Sequence, residues 1–305
     1  MGQKKVCVIL PCLNEEKAIA NVVQGFIEHV ENCTVYVFDN DSTDKTIDEA
    51  KSAGALTRVV KMKGKGHVVQ AMFRDVDADI YILADGDGTY PAKDAKEMVN
   101  LLMLHDADLV IGSRLGTYKS SRSRKKHFLG NVLLTNTVNK LFATEAYDLL
   151  SGYRVMSRRY VKTMPLFSKG FEVETAMTIH AIEVGAKILE YPITYLPRVE
   201  GTESKLNTWR DGFKIGKEIF QLYKDYAPKV VYLMLAMVFI LSGFFIGIPV
   251  ILEYIYTGLV PKFPRAILAS ALVTIGVFSA FTGIILSAIS KSRREMKKLA
   301  FLSIN

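Results

Sequence analysis

Cysteine is scarce in this chain, and its three residues, Cys7, Cys12 and Cys33, follow no metal-binding or redox spacing. The absence of any Cys-x-x-Cys pair argues against a zinc site or a thioredoxin-like redox centre. Small secreted scaffolds carry several cysteine pairs, so a disulfide framework is disfavoured too. We therefore expect reduced, buried thiols in a cytosolic domain.

Two common nucleotide-binding signatures are also missing. Gly64-Lys65-Gly66 is not a Walker loop, because Gly-x-x-x-x-Gly-Lys-Ser/Thr does not occur, and no Gly-x-Gly-x-x-Gly opens the first predicted helix. A P-loop or nicotinamide enzyme is thus disfavoured. The net charge of +8 would suit a nucleic-acid partner, but the sequence contains no nucleic-acid-binding motif, so we expect no such partner.

Charge is absent from two long segments, Val230–Leu252 and Ala266–Ser290. Each exceeds the roughly 20 apolar residues that a membrane span needs. Two buried helices of a soluble protein are the competing interpretation, although such helices seldom lack a polar face for this long. The basic stretch "KSRREMKK" follows the second segment, and the positive-inside rule then predicts that both termini and the N-terminal domain are cytoplasmic.

The predicted organisation is a cytoplasmic domain over residues 1–228 and a membrane domain over residues 229–305, with spans near 230–252 and 266–290. An amphipathic helix near residues 208–227 would end the first domain. It would lie on the lipid headgroups, or alternatively pack against the rest of that domain.

Residues 1–112 alternate short apolar runs with helical patterns, which predicts an α/β fold with a mostly parallel sheet and helices on both faces. The predicted strands are "KVCVIL", "TVYVFD", "LTRVVKM", "DIYILAD" and "DLVIGS". Ser42 or Thr43 is expected to cap the second helix. In such sheets, ligands bind beyond the carboxyl ends of the strands.

Polar clusters follow each of these five strands: "PCLNEE", "DNDSTD", "KGKG", "DGDG" and "GSR". Their convergence on one edge of the sheet predicts a single site. Asp85 and Asp87 present two carboxylates there, which suits Mg²⁺ or Mn²⁺ bound together with a diphosphate. Lys65 could meet the phosphates. A plain tight turn is the alternative interpretation for an isolated Asp-x-Asp.

Three further residues are candidates for binding a nucleoside, and two of them also have a purely structural interpretation. Asn14 and Glu15 could hydrogen-bond a nucleobase or could simply start the first helix, where an acid suits the dipole. Asp39 ends the second strand and could accept hydrogen bonds from a ribose or a base.

The motifs "VILPCLNEE", "VFDNDSTDKT", "GKG", "LADGDGTYP" and "VIGSR" resemble the nucleotide-sugar half of family-2 glycosyltransferases. The later motifs "YDLLSGYRVMSRRYV", "GFEVETAMTIHA", "ITYLPR" and "EGTESKLNTWRDG" resemble the polyprenyl-phosphate branch, which contains dolichyl-phosphate mannose synthases and bacterial polyprenyl-phosphate glucosyltransferases. The resemblance covers roughly residues 4–220. Asp41 stands where the family often has glycine, so the loop geometry there is expected to differ.

This resemblance implies a GT-A (Rossmann-like) fold, a nucleotide-diphospho-sugar donor, Mg²⁺ or Mn²⁺, and a polyprenyl phosphate acceptor. The residues it assigns to the nucleoside are Pro11, Asn14, Glu15 and Asp39. It gives Asp85 and Asp87 to the metal and diphosphate, with Asp87 as the direct ligand. Arg114 would contact a donor or acceptor phosphate, and Arg198 and Lys205 would help to clamp phosphates.

Two acids, Asp148 and Glu172, are candidates for a site near the acceptor, although Asp148 could instead only pair with Arg154. A basic run precedes an amphipathic helix and would form a mobile acceptor-binding loop or a solvated loop; its members are Lys119, Arg122, Arg124, Lys125 and Lys126. Near an anionic membrane surface such residues attract lipid phosphate.

The sequence thus predicts a membrane-bound, inverting transferase of a single hexose, with UDP-glucose or UDP-N-acetylglucosamine favoured over GDP-mannose. The spans would anchor it in membrane lipids and could assemble a homo-oligomer. A processive polysaccharide synthase would have more spans and a Gln-x-x-Arg-Trp segment, which the chain lacks. A nonenzymatic membrane subunit that binds or transports nucleotide sugars is the alternative of another class.

Overall fold

The computed structural model describes residues 4–114, 125–142, 148–165, 173–197, 217 and 220–304. The strands are β1 (Val6–Cys12), β2 (Cys33–Asp39), β3 (Leu56–Val59), β4 (Ile80–Leu83), β5 (Leu109–Ser113), β6 (Arg154–Ser157) and β7 (Ile188–Pro192). The helices are α1 (Ile19–His29), α2 (Thr46–Ser52), α3 (Lys65–Asp75), α4 (Lys93–Leu104), α5 (Lys125–Phe142), α6 (Arg158–Thr163), α7 (Val173–Val184), α8 (Pro228–Thr257) and α9 (Phe263–Leu302). Residues 220–226 are also helical.

The strands form one sheet in the order β3-β2-β1-β4-β6-β5-β7. All neighbouring pairs are parallel except those of β6, which runs antiparallel to β4 and β5. The predicted mostly parallel sheet and its first five strands are confirmed. The chain order reverses at β1 and β4, and a crevice forms at such a switch point beyond the carboxyl ends of the strands.

Apolar side chains cover both faces of this sheet because its central strands are buried on both sides. One core lies under α1 and α4 and includes Phe26 and Met98. The other lies under α3, α6 and α7 and includes Met72 and Met177. The two cores hold the loops at the carboxyl edge in place.

The last turns of α9 belong to the second core. Phe301 is only 3% exposed and packs in it, with the Arg159 guanidinium 5.2 Å from the centre of its ring. Lys297 Nζ donates to Glu183 Oε2 at 2.7 Å, and this carboxylate is fully buried. One compact unit of the chain therefore comprises the residues up to 215 together with 297–305, and a second comprises 216–296.

Glycine lets the two long helices approach closely within the second unit. A Cβ on Gly243 would lie 2.7 Å from Val273 Cγ2, and one on Gly276 would lie 2.6 Å from Ile240 Cγ1. Small residues at helix contacts are typical of membrane proteins. Large apolar side chains such as Phe245 (82%) and Phe278 (69%) are exposed, which two buried helices of a soluble protein would not show.

Both predicted apolar segments lie inside helices long and apolar enough to cross a membrane, α8 and α9. The basic stretch after the second segment continues α9. Most of the predicted amphipathic helix near residues 208–227 lies outside the described residues, so its location on the headgroups and the boundary at residue 228 stay predictions.

One local prediction is wrong. Neither Ser42 nor Thr43 caps α2, because the helix begins at Thr46 and Asp44 Oδ1 accepts from the Thr46 amide at 3.0 Å. Ser42 instead donates to Asp39. The hydroxyl therefore fixes a loop at the sheet edge.

We expect the substitution Phe301→Ala to destabilise the unit formed by residues up to 215 and 297–305, although position 301 lies at the far end of α9. Emptying a buried phenylalanine site costs about 3 kcal/mol or more, which corresponds to roughly 6–12 °C in Tm for a unit of this size. Thermal unfolding of the full chain in detergent measures the effect. Leu302→Ala is the matched control, since Leu302 is 64% exposed; equal shifts for the two variants would contradict the docking of the tail.

Candidate active site

The loops that follow β1 and β2 are joined by Asn14. Its backbone has φ of +57°, a left-handed conformation that asparagine tolerates better than most residues. The Thr43 amide donates to Asn14 Oδ1 at 2.9 Å, and the Asn14 amide donates to Ser42 Oγ at 2.8 Å. Asn14 thus fixes the relative positions of two loops at the carboxyl edge, and its predicted contact with a nucleobase stays a prediction.

Asp39 is fully buried at the end of β2, where it accepts from the Ser42 amide at 2.8 Å and from the Ser42 hydroxyl. Pro11 lies beside it, one residue before the end of β1 and in register with Phe38. The Glu15 amide donates to Thr46 Oγ1 at 2.8 Å. The four residues predicted to hold the nucleoside therefore share one edge of the sheet.

Asn40 holds the loop between β3 and α3 in place, and the sequence analysis did not identify it. Its buried amide donates to the carbonyls of Val60 and Met62 at 2.9 and 2.8 Å, and its Oδ1 accepts from the Gly64 amide at 2.8 Å. Gly64 has φ of +121°, which requires glycine. Asn40 thereby sets the loop that leads into Lys65.

Lys65 lies at the centre of an ion-pair cluster. Its Nζ is 2.6 Å from Asp85 Oδ1 and 2.6 Å from Glu174 Oε1. Burial alone would lower the pKa of Lys65, but the two carboxylates outweigh it and raise that pKa. Burial likewise works against the charge on Glu174, and Lys65 still holds the pKa of Glu174 below its usual range. Lys65 and Glu174 are therefore both ionised at neutral pH.

Glu174, in the first turn of α7, was also missed by sequence reasoning, which selected Glu172 in the same motif. Glu172 lies outside the described residues. So do Arg198, Lys205 and residues 119–124, and the side chains of Lys125 and Lys126 at the start of α5. Their predicted roles at the acceptor and its phosphate stay predictions.

The turn that carries Asp85 and Asp87 depends on Gly86. A Cβ at Gly86 would lie 2.4 Å from Cys12 Sγ, closer than side chains can approach. Asp87 is only 4% exposed, and its Oδ1 accepts from the Thr89 amide at 3.1 Å and the Thr89 hydroxyl at 2.7 Å. Asp85 is more accessible to solvent, with 30% of its side chain exposed.

Gly152 leaves room beside the Asp85 carboxylate that a larger residue would fill. A Cβ at Gly152 would lie 3.0 Å from Asp85 Oδ2 and 3.4 Å from Lys65 Nζ, and the Gly152 amide donates to Tyr90 Oη at 3.0 Å. Arg154 lies fully buried beneath this segment and donates to the carbonyls of Ser151 and Leu149, both at 2.9 Å. Arg154 therefore shapes the backbone that faces Asp85.

Asp148 pairs with Arg114. The guanidinium donates through Nε to Asp148 Oδ2 and through Nη2 to Asp148 Oδ1, both at 2.9 Å, and the Arg114 amide donates to Oδ2 at 3.0 Å. The predicted alternative, a pair between Asp148 and Arg154, is wrong because Arg154 donates to backbone carbonyls instead. Such a bidentate pair fixes both planes, so Arg114 is held in position at the end of β5.

The residues present fit a divalent cation that is shared with a substrate. Within the described ranges, no group of three or more His, Cys, Asp or Glu side chains could hold a metal ion. Magnesium in phosphate-transfer sites typically uses one or two carboxylates and completes its shell with substrate phosphates and water. Asp85 and Asp87 match that smaller set.

Comparison with known proteins identifies the family. The sequence model of glycosyl transferase family 2 matches residues 7–164. The chain belongs to glycosyltransferase family 2. Glycosyltransferase AglJ of Haloferax volcanii is 30% identical over 294 residues, which cover 96% of each chain. Dolichyl-phosphate hexose transferase of the same organism is 25% identical over 218 residues, 71% of this chain and 93% of that protein.

Solved structures show the same fold. Glucosyl-3-phosphoglycerate synthase from Mycobacterium tuberculosis, in complex with Mn²⁺, UDP and glucosyl-3-phosphoglycerate, aligns with a TM-score of 0.58 at 21% identity, over 72% of this chain and 79% of that one. The predicted GT-A fold and the resemblance to the polyprenyl-phosphate branch of family 2 are confirmed. The protein is a glycosyltransferase.

The pair formed by Arg114 and Asp148 is nearly inaccessible to water, with exposed side-chain fractions of 11% and 0%. We expect Asp148→Asn and Arg114→Met each to lower the free energy of unfolding by about 3 kcal/mol, because each breaks a nearly inaccessible bidentate ion pair. The double variant should cost less than the two single costs added together. Glu31→Gln, which breaks the exposed pair with Lys96, is the control and should change stability by less than about 1 kcal/mol; additive losses would contradict the coupling.

His180 on α7 is expected to make the stability of the catalytic unit depend on pH. Its ring is buried beside Tyr160, and Nε2 lies 3.4 Å from Thr163 Oγ1. Burial lowers the pKa of His180 from its ordinary 6.5 to about 4, and the charge of Lys297 adds to the effect. The folded state therefore resists protonation of this ring, whereas the unfolded chain accepts a proton below pH 6.5.

We expect the free energy of unfolding to fall as the pH drops from about 6.5 to 4, because in that range the unfolded chain binds a proton at His180 that the folded state does not. Below about pH 4 both states bind this proton, and His180 no longer contributes to the pH dependence. The measurement is Tm against pH for the wild type and for His180→Gln, whose curve should be flatter between pH 4 and 6.5. His105→Gln, at an exposed position, is the control. Parallel curves for the wild type and His180→Gln would show that the buried ring does not carry the effect.

Proposed function

We propose that this glycosyltransferase moves a single hexose from a nucleotide-diphospho-sugar to a polyprenyl phosphate at the cytoplasmic face of a membrane. The observation that carries the proposal is the cluster of Lys65, Asp85 and Glu174 at the carboxyl edge, in a chain that also has two helices able to span a membrane. The relatives support the acceptor, because one of them is named a dolichyl-phosphate hexose transferase.

For the donor, we favour UDP-glucose or UDP-N-acetylglucosamine. The support is a shared fold with glucosyl-3-phosphoglycerate synthase, whose structure with Mn²⁺ and UDP-glucose aligns at a TM-score of 0.57. GDP-mannose is the second candidate, since a dolichol-phosphate mannosyltransferase of Pyrococcus furiosus is 25% identical over 232 residues.

The chemistry expected of this site is electrostatic. Mg²⁺ or Mn²⁺, held by Asp85 and Asp87, would stabilise the negative charge that develops on the leaving diphosphate. Lys65 would add a second positive charge at the diphosphate, where a charge in a partly dry site is most effective. The acceptor phosphate is already anionic, so no strong general base is required, and the attack would invert the anomeric carbon.

Acceptor binding would use residues at the far end of the sheet. Arg114, oriented by Asp148, would lie near a phosphate of the donor or acceptor. Five further residues would contact the acceptor or its phosphate: Glu172, Lys125, Lys126, Arg198 and Lys205. Membrane lipids, and a homo-oligomer formed through the spans, would help to hold the isoprenoid chain.

The proposed orientation rests on the tail of α9. Because Lys297 and Phe301 pack within the same unit as the N-terminal domain, the two ends of the chain would lie on one side of the membrane. The basic residues 291–298 favour the cytoplasmic side.

The test is sugar transfer by the purified full-length protein to undecaprenyl phosphate with Mn²⁺. UDP-glucose, UDP-N-acetylglucosamine and GDP-mannose are supplied in separate reactions. We expect a lipid-linked sugar from one donor, lost in EDTA and reduced at least about a hundredfold in Asp87→Ala, the scale of removing one electrostatic stabiliser of a transition state.

Asp48→Ala is the control, because Asp48 is an exposed carboxylate on α2, and it should retain wild-type activity. Full activity of Asp87→Ala would contradict the metal assignment. Binding of a nucleotide sugar without a lipid product from any donor would contradict the proposed acceptor and favour a nucleotide-sugar-binding or transport subunit.

A further inference from the structure

Lys65 occupies the place at Asp85 where a cation is expected. Its ammonium lies 2.6 Å from Asp85 Oδ1, on the accessible side of that carboxylate, while Glu174 holds the same ammonium from α7 at 2.6 Å. The cluster thus carries its own positive charge without any bound metal. One lysine therefore pairs with two carboxylates, one from the loop after β4 and one from α7.

We propose that Lys65 is an internal counter-ion that competes with the divalent cation for Asp85, so that the metal binds tightly only together with the donor diphosphate. The inference rests on the proposed function, because it takes the diphosphate and the metal from it. It adds an order of events: the anionic donor draws Lys65 away from Asp85, and the freed oxygen then becomes a metal ligand.

The competition follows from the position of the ammonium on the Asp85 carboxylate. Asp85 Oδ1 is bound to Lys65, and the lack of a side chain at Gly152 leaves room only beside Oδ2, where a Cβ would lie 3.0 Å from that oxygen and 3.4 Å from Lys65 Nζ. Asp87 Oδ1 accepts two hydrogen bonds from Thr89. A metal ion sits about 2.1 Å from its oxygen ligands, so a metal and the ammonium on the same oxygen would be two cations within a few ångströms, which repel each other strongly in a partly buried site.

Glu174 and the preceding loop determine where Lys65 can go. The Gly64 amide is fixed by Asn40, so the backbone at Lys65 is held while the flexible side chain is able to turn. The Glu174 side chain is only 9% exposed, in the first turn of α7. Lys65 would therefore move between Asp85 and a diphosphate while remaining paired with Glu174, which makes Glu174 a positioning residue for Lys65.

The experiment measures Mn²⁺ binding to the full-length protein in detergent by the electron paramagnetic resonance signal of free Mn²⁺, with and without UDP. Wild type should bind Mn²⁺ weakly alone and at least tenfold more tightly with UDP. Lys65→Met should bind Mn²⁺ alone at least fivefold more tightly than wild type, yet bind UDP more weakly. Metal affinity and nucleotide affinity thus change in opposite directions, which a general loss of structure would not produce.

Lys63→Met is the matched control, since Lys63 is an exposed lysine two residues away in the same loop, and it should behave as wild type. Unchanged or weaker binding of Mn²⁺ alone by Lys65→Met would overturn the counter-ion proposal while leaving the metal-dependent function intact, provided that wild type binds Mn²⁺ with UDP. Failure of wild type to bind Mn²⁺ even with UDP would overturn both.

Discussion

The need to balance charge at the carboxyl edge of the sheet organises the site. Lys65 begins α3, Asp85 follows β4 and Glu174 lies in the first turn of α7, so a single ammonium ties together three separate parts of the chain. Two neighbouring carboxylates in a partly dry crevice would repel each other without such a cation. The same arrangement favours the binding of a diphosphate together with a divalent cation.

A second layer of buried polar contacts supports this cluster. Asn40 orders the loop before Lys65, Arg154 shapes the segment around Gly152, and Asp148 fixes Arg114. None of the three needs to touch a substrate to matter, because each sets the direction of a group that faces the crevice. Precise positioning of this kind is what electrostatic stabilisation of a transition state requires.

The sequence predicted the parts of the fold in which periodicity is strong. The first five strands are short apolar runs, and each long helix contains an uncharged segment of more than 20 residues, which are the strongest signals in the sequence. Strand β6 was not predicted, because Arg154 opens it with a charge and only three residues follow. Asn40 and Glu174 were missed for another reason: their roles depend on partners 20 or more residues away, which no local pattern encodes.

The docking of Phe301 into the core beneath α6 and α7 makes the catalytic fold discontinuous along the chain. A ribosome releases the final piece of that core only after both apolar helices have been synthesised. Folding of the catalytic unit is therefore completed only after the apolar segments of both long helices have left the ribosome. A chain in which the end of α9 did not dock would leave the site of Phe301 open, and exposed apolar surface of this kind makes an incompletely folded chain prone to aggregation.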